Sequence, residues 1–337
     1  MVKRPTFSVV IFPTAAADKE LRIAKLAEEL GYDGVWVGDS HIIWREMYTL
    51  MGAIAMQTSR VFLGSGVTHP RVRHLSVTAS AMATLAELAP DRIRLGIGIG
   101  ASGPRNVGLK PSPLHELEQA IAALRGLLRG EEVRLGDRDM RLMFVRGLQI
   151  PIYLAASSGR AHELAGRIAE GVITGDPKHD AEGVRNSVHR GALAAGRDPA
   201  SVEVVCWTPC CIAEDGREAR EAVRPMVARA GMVTFGRKLR LGEPMEEEDK
   251  RAAEELEREY DYSHHMTPAY SHLAPERWID MWAAAGTVGQ VRERIDEILR
   301  GEVHEIAVVP WGKDREGVIR RFAKEVMEEV RKAGGSS

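Results

Sequence analysis

Just past the short apolar run GVWV the chain reads Gly38-Asp39-Ser40-His41, a carboxylate and an imidazole two residues apart. Imidazole is the side chain best suited to moving protons near neutral pH, which makes Asp39 and His41 a candidate catalytic pair. A structural loop histidine explains the same residues equally well. Ser65, Gly66, Val67 and Thr68 open SGVTHP, where a flexible glycine, a β-branched residue and a proline follow a strand-like run. They suit a bulge beside a ligand, and a plain exit turn is the simpler account. GIGASG at 98–103 matches the GxGxxG dinucleotide pattern in form. That reading fails on context: Pro104, Pro111 and Pro113 follow, so no helix is expected to open at once as the fingerprint demands. The glycines fit better as a loop whose backbone approaches a ligand closely. AASSG at 155–159 brings two hydroxyls to a helix start, where free amides and the dipole favour a phosphate. Ordinary serine capping accounts for it as readily. The eleven histidines include no HxH or HExxH, and His264-His265 are adjacent, which is poor chelating geometry, so no metal site is expected. No GxSxG or Cys–His pattern points to a covalent nucleophile.

These stretches share a position: each follows a β-like run and precedes a helical one. Apolar β-branched runs fall at 7–12, 34–38, 61–67, 93–99, 150–155, 172–174, 202–212 and 305–310. Helical periodicity falls at 18–30, with Asp18 as cap, then at 46–58, 74–88, 114–128, 160–169, 180–195, 217–230 and 316–331. A hairpin turning at Gly136-Asp137 interrupts the alternation. Eight strand–helix units predict a single-domain (β/α)8 barrel, whose ligands gather past the strand C-termini. A doubly wound sheet would use fewer strands. Residues 231–276 form an insertion between the seventh and eighth strands, with an acidic helix at 245–260 and the cluster YDYSHHMTPAYSH. Its length and position predict a substrate lid, in which His264 and His265 contact substrate, or else an oligomer contact.

Composition narrows the class. With 337 residues, 44% hydrophobic and 28% charged, the chain can bury a large core. A net charge of −2 gives no electrostatic case for nucleic acid or a membrane surface. No apolar run approaches a membrane span. Cys206, Cys210 and Cys211 are odd in number and clustered, which argues against a disulfide framework and for a cytoplasmic setting.

Together, GYDGVWVGDS (31–40), TSRVFLGSGVTHPRVRHLSVTASAMATLAEL (58–88), RIRLGIGIG (92–100) and PIYLAASSGRAHELAGRIAEGVI (151–173) resemble the bacterial-luciferase-like superfamily. Within it, the chain is most similar to the deazaflavin (coenzyme F-420)-dependent branch that includes methylenetetrahydromethanopterin reductase. The resemblance implies hydride transfer between the deazaflavin and a small organic substrate, a pterin among the possibilities. It also implies a homo-oligomer, dimer or tetramer. The cofactor ring would stand against a non-prolyl cis peptide at Gly66-Val67, flanked by Ser65 and Thr68. Its phosphate would lie near Gly98, Gly100 and Asn106 and the helix start Ala156, Ser157, Ser158 and Gly159. Trp44 would stand on the substrate side. Two departures stand out. Glucose-6-phosphate dehydrogenases of this group place Asp and His side by side, whereas Ser40 separates Asp39 from His41 here. Their acidic residue after the fourth-strand glycines is replaced by Ala101 and Ser102. An FMN-dependent monooxygenase or reductase, and a non-catalytic cofactor-binding protein, are the alternatives.

Overall fold

The computed structural model describes residues 4–175 and 181–334. The described residues hold eleven strands, numbered here in chain order. They are β1 Thr6–Ile11, β2 Gly34–Val37, β3 Phe62–Ser65, β4 Ile93–Ile97, β5 Val133–Leu135, β6 Arg138–Met140, β7 Ile152–Ala155, β8 Gly171–Thr174, β9 Glu203–Ile212, β10 Ala284–Gly286 and β11 Glu305–Pro310. Eight of them close a parallel barrel in the order β1-β2-β3-β4-β7-β8-β9-β11, with β11 returning to β1. The expected (β/α)8 barrel is therefore the observed architecture. β5 and β6 form the hairpin, turning through Gly136 at φ 64°.

The strands read as nearly continuous apolar runs because both faces are covered. Phe7, Val9 and Ile11 point outward into the layer shared with the helices. Val10, Trp36, Phe62, Tyr153, Ile173, Val205, Ala307 and Val309 fill the barrel interior. Trp36 occupies so much of that interior that its neighbours must lack side chains. A Cβ on Gly64 would lie 2.2 Å from its ring, and one on Gly96 3.1 Å. Part of the glycine enrichment at the ends of β3 and β4 therefore accommodates a tryptophan.

Several local expectations are revised. Helix Ala17–Glu29 is capped by the backbone at Ala16, because Glu20 accepts the Ala15 amide at 2.8 Å. Asp18 instead lies in the first turn and pairs with Arg22. A four-residue helix, Ser102–Arg105, does open directly after Gly100. Its Pro104 falls in the first turn, where no amide donor is needed. The helix expected to stop at Gly231 runs unbroken as Gly216–Leu241. Gly231 is there for packing: a Cβ would lie 2.0 Å from the Trp278 ring. The supposed insertion thus begins as this helix, turns at Gly242 and returns as Glu247–Glu259. Helices Glu276–Trp282 and Val288–Leu299 flank β10, which adds to the upper half of β9 with Ala284 opposite Cys210. The expected start of the 180–195 helix at Asp180 lies outside the described residues. All three cysteines sit buried on β9, and among the described residues none forms a disulfide. Among the described residues no helix is long and apolar enough to cross a membrane.

Candidate active site

Over the C-terminal end of the barrel lies a cavity of about 280 Å³. Its floor is the turn after β3, where the Gly66–Val67 peptide is cis, at the position the resemblance implied. Hydrogen bonds on both sides hold this bulge. The Gly66 amide donates to the Val37 carbonyl at 2.6 Å, the Thr68 amide to Gly96, and the Gly98 amide back to the Thr68 carbonyl. The Ser65 hydroxyl donates to the Gly96 carbonyl at 2.8 Å, beneath the surface. Thr68 is also buried, and its hydroxyl donates to Asp39.

Asp39 lines the cavity, yet its carboxylate is fully occupied. Arg73 clamps it with two bonds of 2.6 and 3.0 Å, and Thr68 supplies a third at 2.8 Å. Its side chain is 1% exposed. In this arrangement Asp39 anchors the bulge. Burial pushes the neighbouring Tyr48 phenol up to about 12, and Arg73 lies over that ring. His41 stands in the turn beyond, outside the cavity wall, with Nδ1 buried and without a partner among the described residues. The SGVTHP run supplies a different imidazole to the wall. His69 is 3% exposed and packs over the Gly100–Gly103 turn, where a Cβ on Gly103 would meet its Nε2 at 2.3 Å. Neither of its ring nitrogens has a partner among the described residues.

Beyond the Ala156–Ser157 wall lies a second hollow of about 520 Å³. The two share Ala156, Ser157, Thr174, Gly175, Thr234 and Trp282. Here Ser158 caps helix Gly159–Ile168, accepting the Ala161 amide at 3.4 Å, and Gly159 completes the turn. Arg237, Lys238 and Arg277 line the opposite side. Glu246 and Asp249 line it too, and Arg237 pairs with Glu243 and Arg277 with Glu248 and Asp249, so Lys238 and the helix N-terminus are the features here that suit an anion such as phosphate. Sequence reasoning missed the cations because they come from helices far along the chain. Gly100 lines the first cavity at φ +84°, while a Cβ added to Gly98 would meet Ala155 at 3.2 Å and Val67 at 3.3 Å.

The remaining predicted residues separate. Trp44 lines the cavity, stacked on Phe12 at 4.9 Å and tilted toward His265 at 6.2 Å. His265 lines it as well, buried, with Tyr260 on Nδ1 at 2.6 Å and Arg229 donating to Nε2 at 3.2 Å. His264 turns outward, 71% exposed, and pairs with Asp261. The Asn106 amide donates to the Tyr262 carbonyl at 3.2 Å and so ties down the 3-10 turn Tyr262–His264 rather than the cavity.

The buried imidazoles make stability pH-dependent. Burial, reinforced by Arg229, holds His265 well below its ordinary value, and burial also lowers His69. The folded protein keeps both neutral while the unfolded chain protonates near pH 6.5, so the unfolded state binds more protons in acid. Stability is expected to fall as pH drops below about 6.5. Urea unfolding at pH 7.5 and 5.5 should show a smaller acid loss in His265→Gln than in the wild type. Equal losses would exclude His265 as a source.

A parallel barrel with a bulged third strand and a serine-capped helix start at its mouth defines a class, and sequence comparison agrees. The family model for luciferase-like monooxygenases matches residues 6–305, and the chain belongs to that family. Among its relatives is the 5,10-methylenetetrahydromethanopterin reductase of Methanolobus tindarius, 31% identical over 335 residues, covering 96% of this chain and 99% of the relative. The F-420-dependent glucose-6-phosphate dehydrogenase of Beutenbergia cavernae is 30% identical and covers 91% of each. Among solved structures, the coenzyme F-420-dependent tetrahydromethanopterin reductase of Methanopyrus kandleri superposes with a TM-score of 0.81 at 25% identity, covering 97% and 99%.

Proposed function

We propose that this chain is an oxidoreductase that transfers a hydride between coenzyme F-420 and a small organic substrate, with a reduced pterin of the methylenetetrahydromethanopterin kind as the leading substrate. The observation that carries the reading is one continuous geometry: the braced Gly66–Val67 bulge under an apolar cavity that opens onto the Ser157–Gly159 cradle. The residues present fit a phosphate-bearing flat ring. Gly66 lies so close to Trp36 and Trp207 that a Cβ would meet each at 3.1 Å, which keeps the floor thin, and Arg237, Lys238 and Arg277 face the serines. When bound, the deazaflavin supplies the hydride-carrying carbon of its central ring.

The chain's own residues position the reactants and exclude water. Gly66, Val67 and Thr68 support one ring face, and the Asp39–Arg73 pair keeps the bulge from relaxing. Ser157, Ser158 and Gly159, with Gly98 and Gly100 behind them, bind the phosphate side. Trp44, Trp207 and Met226 wall the substrate half and shed water from it. Among the described residues, His69 is the unpartnered imidazole in the cavity wall for any proton that accompanies the hydride, whereas His41 stands outside that wall. A cytoplasmic homo-oligomer belongs to the same reading.

Titrating the apoprotein with deazaflavin and, separately, with FMN tests it. Saturable fluorescence quenching by the deazaflavin, with little by FMN, is expected. FMN binding without deazaflavin binding would overturn the cofactor. Deazaflavin binding without oxidation of its reduced form by methylenetetrahydromethanopterin would remove the pterin.

A further inference from the structure

We infer that Arg229 is the specificity-determining cation of this site, and that the substrate offers it a carboxylate or phosphate oxygen on a flat, apolar body. The inference rests on the cavity being the reaction site proposed above.

Arg229 belongs to helix Gly216–Leu241, whose other arginines, apart from Arg217 at its exposed start, pair with carboxylates. Arg220 pairs with Glu276 and Asp280, Arg224 with Glu221 and Glu276, Arg237 with Glu243, and Arg240 with Glu257. Arg229 is the half-buried member that turns into the cavity, and no carboxylate among the described residues pairs with it. The one carboxylate among the described residues lining that cavity is Asp39, which is already clamped by Arg73 and Thr68. A guanidinium withdrawn from water without a counter-ion is costly unless a ligand brings the charge.

Its direction is set. The Nε–H donates to His265 Nε2 at 3.2 Å, and His265 is held in turn by the Tyr260 hydroxyl at 2.6 Å. Tyr260 packs against Tyr262 and Tyr270, with ring centres 5.2 and 4.7 Å away. With Nε engaged, the two terminal nitrogens present the planar fork that matches a carboxylate or phosphate. Trp44, Trp207, Trp282 and Met226 line the same space, which selects a flat apolar body behind the anionic group.

Calorimetric titration of the deazaflavin-loaded protein with benzoate, phenyl phosphate and benzamide tests this. Benzamide keeps the shape of benzoate and removes its charge. One or both anions should bind, with benzamide weaker by about tenfold or more. The anion that binds more tightly identifies the source of the oxygen. Arg229→Gln should lose about tenfold or more of the anion affinity, Arg229→Lys should retain part of it, and His265→Gln should fall between. Deazaflavin affinity should be unchanged in all three. Anion binding that survives Arg229→Gln, an absence of anion binding in the wild type, or benzamide binding as tightly as benzoate would overturn the inference. So would a loss confined to deazaflavin affinity in Arg229→Gln, which would assign the cation to the cofactor. If the wild type fails to bind deazaflavin, the functional reading falls, and the same anion titrations on the free protein still decide Arg229.

Discussion

Gly191→Ala is expected to destabilise the protein by about 3 kcal/mol or more and to weaken deazaflavin binding with it. Gly191 lies on helix Ala181–Ala194, and a Cβ there would sit 1.9 Å from the Glu163 carbonyl oxygen of the preceding helix. Gly166 mirrors it, with a Cβ 2.0 Å from the Val188 carbonyl. The obstacle in each case is backbone, which cannot swing aside as a side chain can, so the helices must separate. Helix Gly159–Ile168 begins at the Ser157–Gly159 cradle, so its displacement carries the phosphate side of the site with it. Gly52→Ala is the control, because nothing lies within 4 Å of its added Cβ and helix propensity favours alanine. Urea midpoints and deazaflavin titrations of the two variants decide the matter. Gly191→Ala behaving like Gly52→Ala would show that the two helices are not held in contact through these glycines.

Glu305→Ala is expected to cost about 3–5 kcal/mol, because it strands a cation inside the barrel. The Glu305 carboxylate is fully buried, accepting from the Ser8 hydroxyl at 2.5 Å and the Trp36 indole at 2.6 Å, and pairing with Arg94 at 2.8 Å. Burial pushes its carboxyl upward while Arg94 pulls it back. Arg94 also lies over the rings of Phe62 and Tyr153, at 3.6 and 5.1 Å, which restricts its escape to water. The double variant Glu305→Leu with Arg94→Met removes both charges and should be far less destabilised than the sum of the single changes. Additive losses in the denaturant midpoints would mean that the pair does not act as a unit.

Much of the architecture was legible in the sequence. Runs such as Val9-Val10-Ile11 and Val35-Trp36-Val37 are apolar on both strand faces, the mark of parallel strands covered by helices. The helix boundaries around Glu46 and Ser158 were near the mark because capping is local chemistry, settled within a turn of chain. The limits appear where a residue serves two purposes. Gly231 carries the ordinary sign of a helix end, yet it lies inside a helix because Trp278, forty-seven positions later, needs the space. β10 is Ala-Ala-Gly, three residues without a strand pattern, which pair only because the upper half of β9 stands exposed beside them.

The site divides in the same way. The bulge at Gly66–Val67 and the serine turn at 157–159 are contiguous stretches, but composition alone left a plain exit turn and ordinary serine capping open, and it was the family resemblance that placed the cis peptide. The role of each side chain was settled by tertiary structure. Asp39 and His41 read as a candidate catalytic pair on paper, but Arg73 and Thr68 converge on Asp39 and occupy its oxygens. His264 and His265 are indistinguishable as neighbours in sequence, and the turn of one 3-10 helix sends the first to solvent and the second to the cavity. Arg229, Arg237, Lys238 and Arg277 carried no local signal, being ordinary cations on polar helices. They acquire meaning through barrel closure, which brings helices more than fifty residues apart in sequence to the mouth that β3 and β7 begin. Periodicity and capping act over a few residues and can be read from the chain, whereas charge balance in a cavity depends on every element around it.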